Sequence, residues 1–232
     1  MIVVDPPLRR DPLGIRLTVG RAEFLLTNAE AGDFAAPNNQ QLDAVATESG
    51  IAPTQWAQDE QVHGAAVTIV AASGPPEPFT APADGQATDR GDVLCAVRTA
   101  DCLAVLLAAD DAVAAVHAGW RGLIGGVVAN GVAAVCTFGA APTVAVIGPG
   151  ARGCCYEVGD EIIDVFARYP SAFRSERKLD LATVAREQLL AAGVSKVYDC
   201  EICTICSSSD DFFSYRRDRG QTGRMLGAAW LS

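Results

Sequence analysis

Hydrophobic positions in this chain fall in short, nearly unbroken runs separated by turn-forming residues. Six runs rich in Val, Ile, Leu and Ala predict β-strands at 65–71, 93–97, 103–108, 113–117, 144–147 and 196–198. Several are apolar throughout, the pattern of strands covered on both faces. Between them the spacing changes to that of helices. In GDEIIDVFARY (159–169), Ile162, Val165, Phe166 and Tyr169 recur at helical intervals, with acidic residues in the first turn to suit the helix dipole. The run 179–194 predicts a second helix, with Asp180 as N-cap and Gly193 just past its end. A third, 120–136, is weakened by Gly125, Gly126 and Gly131. Interleaved strands and helices predict an α/β or mixed α+β fold. The Pro-rich stretch 73–85 predicts a surface loop rather than a linker, because apolar segments resume on both sides.

With 232 residues and 50% hydrophobic content, the chain is expected to form one domain over 1–232. A chain of this size buries roughly 70 to 75% of its unfolded surface, so no disulfide or metal is needed to hold the fold. A formal charge of −10 argues against binding to nucleic acid or an anionic membrane, and leaves room for a small ligand held by local arginines. The best apolar stretch, LAVLLAA, is stopped by Asp110 and Asp111, far short of a membrane span. The N-terminal MIVVDPPLRRDP has no basic lead before a long apolar run, so a secretory signal is not expected and the cytoplasm is. The eight cysteines are then expected to be thiols, most of them small buried hydrophobes.

Only two histidines occur, His63 and His117. Cys102 starts one predicted strand and His117 ends the next, so an antiparallel hairpin makes them neighbours, and His63 can reach them from a preceding loop. Two imidazoles and a thiolate are a suitable three-donor set for zinc with a fourth position left for chemistry. The spacing matches no standard zinc signature, and two partly buried histidines beside an inert cysteine remain the alternative. Cys102 and His117, with Asp101 nearby, could instead form the thiolate–imidazole pair of a cysteine hydrolase or deamidase. CEICTIC, with Cys200, Cys203 and Cys206, superficially resembles an iron–sulfur run, but the fourth cysteine before a proline is missing. Arg121 lies in a Gly-containing turn that opens a helix, which suits an anion. The tail FFSYRRDRGQTGR adds Arg216, Arg217, Arg219 and Arg224 against the chain's overall acidity. Trp56, Phe79 and Trp120 are candidates to stack on a base.

The motifs QVHG (61–64), TADC (99–102), HAGWRG (117–122), IGPGARGCCYEVG (147–159), and CT with FFSYRRD and TGR (203–224) together resemble the YfiH family. That family was first described as laccase-domain or polyphenol oxidases and is now regarded as zinc-dependent purine nucleoside phosphorylases. The resemblance runs in order from about residue 55 to the C-terminus. It implies a layered sandwich of two sheets covered by helices, and a metal site at His63, Cys102 and His117. It also implies phosphorolysis of adenosine, inosine and methylthioadenosine, with some adenosine deaminase activity. The partners expected are thus a nucleoside and phosphate, and the cofactor zinc rather than copper; from their charge and setting, phosphate is assigned to Arg121, with Arg216 and the other tail arginines in reserve. A metal that lowers the pKa of water from about 15.7 to about 7 suits hydrolysis at purine C6. The proton shuttle is open, with Asp101 and Glu157 as candidates, since the H-x-E glutamate of nucleobase deaminases is missing. The first fifty residues lack the family's usual GGVS stretch, leaving Asn28 as a remnant substrate contact.

Overall fold

The computed structural model describes residues 7–71, 73–79 and 81–232. In chain order the elements are β1 (Arg9–Asp11), β2 (Gly14–Val19), β3 (Ala22–Thr27), α1 (Asn39–Ser49), β4 (Trp56–Ala57), β5 (Thr68–Ile69) and β6 (Gly85–Thr88). There follow β7 (Leu94–Thr99), β8 (Leu103–Ala108), β9 (Val113–Ala118), α2 (Trp120–Gly125), α3 (Val127–Cys136), β10 (Val144–Ile147) and α4 (Asp160–Val165). The chain ends through β11 (Phe173–Ser175), β12 (Lys178–Leu179), α5 (Leu181–Ala191), β13 (Lys196–Asp199) and β14 (Met225–Leu231). Two mixed six-stranded sheets result, ordered β1-β2-β3-β14-β7-β4 and β13-β10-β8-β9-β6-β5.

Strand alternation builds the layers. In β14, Leu226, Ala228 and Trp230 join Leu94 and Ala96 of β7 on the outer face of the first sheet, beneath Val45 of α1. Met225, Ala229 and Leu231 point the other way, against Ala104, Leu106 and Ala108 of β8 and Val113 and Ala115 of β9. The remaining faces of β8 and β9, with Leu103, Val105, Leu107, Ala114 and Val116, carry the residues of α2, α3 and α5. The architecture is therefore helix, sheet, sheet, helices. Both faces of each central strand are covered, which is why those strands read as unbroken apolar runs.

The sheets approach closely at Gly227, where a Cβ would overlap Ala104 Cβ. Gly227→Ala is expected to destabilise the protein by about 1–3 kcal/mol through overpacking. The measurement is a lowered urea midpoint at unchanged slope.

Most of the predicted elements form, with specific departures. Only Thr68–Ile69 of 65–71 pairs, parallel to β6 at the sheet edge. The helix predicted over 120–136 divides at Gly126, whose φ of 87° ends α2 and begins α3. The helix predicted over 159–169 stops after Val165, before Pro170. Asp180 does cap α5, accepting from Ala182 N and Thr183 N at 3.1 and 3.3 Å, and Gly193 follows it with φ 90°. The stretch 73–85 is a loop, Thr80 lying outside the described residues, until its end, where Asp84 is fully buried. Residues 1–6 of the N-terminal stretch also lie outside the described residues. Among the described residues no helix is long and apolar enough to cross a membrane. Of the eight cysteines, only Cys95, Cys200 and Cys203 are buried.

Candidate metal centre

Strand register brings the central pair together. In the β8–β9 hairpin Ala104 lies opposite His117 and Leu103 opposite Ala118, so the next positions outward bring Cys102 against Gly119. Even positions of β8 and odd positions of β9 face the other sheet, and Cys102 and His117 continue those two parities at the same end of the hairpin. His63 arrives from the turn 61–64 with φ 60°, a left-handed conformation uncommon for a residue other than glycine. The His63, Cys102 and His117 donor atoms all lie within 4.8 Å of one another. The two imidazoles meet edge to face, with ring centroids 4.9 Å apart.

What holds His63 in that turn is Asp84. Its carboxylate accepts from the backbone N–H groups of Val62, His63 and Gly64 at 3.2, 2.9 and 2.6 Å. The same carboxylate bonds His117 Nδ1 at 2.7 Å. With Nδ1 carrying a proton toward Asp84, Nε2 is the nitrogen left to ligate a metal, which must displace any proton it holds. Burial alone would raise the Asp84 pKa, but the bonds from His117, Gly64 and His63 bring it below the usual carboxylate range. Burial would likewise raise the Cys102 thiol, yet the two histidines facing it lower it to about 6. His117, which burial would push down, is raised to about 9 by Cys102 and Asp84. Cys102 is thus a thiolate near neutral pH, the form that ligates metals. Two imidazole nitrogens and a thiolate, backed by a carboxylate, fit a borderline divalent ion such as zinc.

Gly119 completes the local fit, because a Cβ there would come within 2.8 Å of Cys102 Sγ and 3.4 Å of His63 Cδ2. Gly119→Ala is expected to displace the Cys102 sulfur and weaken metal binding by about tenfold or more, the scale of losing an orienting contact. Competition with a chromogenic chelator measures it.

All three donors line a cavity of about 690 Å³, within the range of small-molecule sites. Arg98, Arg121, Arg216 and Arg224 line the same cavity, as do Gln61, Trp120, Tyr156 and Tyr215. Among the described residues, no carboxylate forms an ion pair with any of these four arginines. Arg98 is partly buried, and that burial, together with the nearby Arg224, depresses its pKa. Such unpaired cations in an acidic chain are ready to take an anion.

Other candidates fall elsewhere. Asn28 does not line the cavity; its side chain caps the short turn 29–31 by accepting from Ala31 N at 3.1 Å. Asp101 lines the cavity, but its oxygens are taken up by Thr204 Oγ1, Ser214 Oγ and Arg216 N at 2.6, 2.7 and 2.6 Å. Those bonds fix the Arg216 backbone, and it is Asp84, not Asp101, that stands behind His117. Glu157 is not in the cavity wall, though its carbonyl accepts from Arg216 Nη1 at 2.9 Å. Arg217 binds Asp218 and the carbonyls of Thr204, Ser207 and Phe212, a structural strap. Arg219 is exposed and outside the cavity wall. Trp56 is core and Phe79 lies under Arg98, so Trp120 is the one of the three that lines the cavity. Cys200 is buried between the sheets, apart from Cys203 and Cys206, which removes the iron–sulfur run. Asp84 and Arg98 went unread; an Asp-Gly pair ahead of a strand and an arginine at a strand end carry no distinctive spacing.

Residues 21–232 match a family described as multi-copper polyphenol oxidoreductase laccase. A purine nucleoside phosphorylase of Streptomyces coelicolor is 35% identical over 244 residues, covering 94% of this chain and 99% of the relative. The purine nucleoside phosphorylase YfiH of Escherichia coli is 36% identical over 211 residues, covering 86% and 82%. The crystal structure of YlmD from Geobacillus stearothermophilus superposes with a TM-score of 0.81 at 30% identity, covering 97% of this chain and 98% of that one.

Proposed function

Since the chain belongs to the laccase-domain (YfiH) family, we propose that it is a zinc-dependent purine nucleoside phosphorylase acting on inosine, adenosine and S-methyl-5′-thioadenosine, with adenosine deaminase as a side activity. The observation that carries this reading is the convergence of His63, Cys102 and His117 in a cavity that also holds four arginines free of carboxylate partners. The family description names copper, but multicopper chemistry needs many more imidazoles than the two in this sequence. Zinc bound by the three donors would supply a Lewis acid beside the substrate.

The chain's own groups account for the rest. Phosphorolysis transfers ribose C1′ from the purine nitrogen to a phosphate oxygen, giving ribose 1-phosphate and the free base. Phosphate and nucleoside must be held together while negative charge grows on the departing base. Arg121 is the first candidate for phosphate, with Arg216 beside it; Arg98 and Arg224 add charge to the same wall. Asp101 fixes the Arg216 backbone at 2.6 Å, so that arginine starts from a set position. Trp120, Tyr156 and Tyr215, each with an arginine over its ring, line the cavity where the base and ribose would lie. Deamination of adenosine at C6 would instead consume water and release ammonia in the same cavity.

Zinc-loaded protein is expected to release hypoxanthine from inosine only when phosphate is present, forming ribose 1-phosphate in equal amount. Release no greater than that of Cys102→Ala, or release independent of phosphate, rejects the proposal. The Cys102–His117–Asp84 chain supports a second reading as a metal-free cysteine hydrolase. Protein that lacks zinc as purified, and whose activity is destroyed by alkylation and untouched by chelators, would favour it.

A further inference from the structure

A second cluster lies outside the cavity wall. Cys154 and Cys155 sit in a turn, Cys203 and Cys206 in another, and the four sulfurs all fall within 4.8 Å of one another. Cys154 Sγ and Cys206 Sγ are 3.7 Å apart. Zinc–thiolate bonds of about 2.3 Å in a tetrahedron place sulfurs about 3.8 Å apart, so this spacing suits one ion. It is too tight for a cluster whose thiolates sit on separate irons, and it is wider than the roughly 2.05 Å of a disulfide. We propose that Cys154, Cys155, Cys203 and Cys206 form a closed four-thiolate site for a second, structural zinc ion.

Two further features agree. Cys203-x-x-Cys206 has the two-residue spacing of structural zinc half-sites. Four thiolates around one zinc leave an excess of negative charge, and the Lys178 ammonium lies beside them, donating to Cys154 O at 2.8 Å.

The site would join the two segments that back the cavity. Gly150 N donates to Ile202 O at 3.2 Å and Thr204 N to Gly150 O at 3.0 Å, so the turns already run side by side. Thr204 Oγ1 then holds Asp101, which holds Arg216, while Tyr156 follows Cys155 directly into the cavity wall. An ion across the turns stiffens both routes to the cavity without touching substrate.

The proposal uses different donors from the cavity centre, and the test separates them. The full chain is expected to bind two zinc ions, and Cys102→Ala to keep one. Cobalt loaded into Cys102→Ala should give intense thiolate-to-metal charge-transfer absorption with tetrahedral d–d bands. This readout leaves the four cysteines intact and does not depend on the folding of a cluster variant. Cys154→Ser/Cys206→Ser should in turn lose one of two zinc ions and melt at a lower temperature. A Cys102→Ala protein that is metal-free with four rapidly titrating thiols, that has lost these thiols pairwise to disulfides, or that carries iron there overturns the proposal.

Discussion

His117→Ala is expected to lose the zinc held in the cavity and, with it, phosphate-dependent release of base, down to the background of Cys102→Ala. Structural zinc sites bind with about 10–16 kcal/mol from four donors, so losing one of three costs on the order of 3 kcal/mol, more than about a hundredfold in affinity. The loss goes further than one bond, because His117 is also the partner that holds Asp84 and lowers the Cys102 thiol. Zinc content after dialysis and initial rates with inosine and phosphate measure both effects. A variant that keeps the full zinc content and the rate of the parent protein would show that no functional ion sits at His117.

Asp84→Asn should be nearly as severe by a different route. The carboxylate uses both oxygens at once, Oδ2 for Val62 N and Gly64 N, Oδ1 for His63 N and His117 Nδ1. An amide keeps one oxygen and turns its NH2 toward N–H groups that can only donate, leaving buried donors unpaired at about 1–3 kcal/mol each. Zinc affinity is expected to fall about 10- to 100-fold, as for loss of other partners that orient metal-bound histidines. Stability should fall in the metal-free protein as well, since the 61–64 turn depends on the same bonds. Chelator competition and urea unfolding of the zinc-free form separate the two. Unchanged zinc affinity would mean that Asp84 supports the turn but not the donors.

Sequence patterning identified the middle of the molecule well. The hairpin of β8 and β9, β10, α5 and its Asp180 cap were all readable, because their residues obey one local period and end at strong signals. Of the outer sheet only β7 was, as the run 93–97. Its β14 carries Gly227, Ala228 and Ala229, small residues with weak local preference that make sense only against Ala104 and the second sheet. The polar β6, GQAT, reads as loop and becomes a strand because β9 pairs with it.

The presence of only two imidazoles, the hairpin that pairs His117 with Cys102, and an arginine-rich tail in an acidic chain were determined by the sequence alone, since residue type and short spacing suffice for each; that His63 joins the pair was decided by the tertiary structure. Which carboxylate stands behind His117, which arginines share its cavity and which cysteines stand together were decided by the tertiary structure. Asp84 reaches His117 across 33 residues, and Cys154 reaches Cys206 across 52. No local period records contacts at that range; only the packing of two sheets and the turns at their ends creates them.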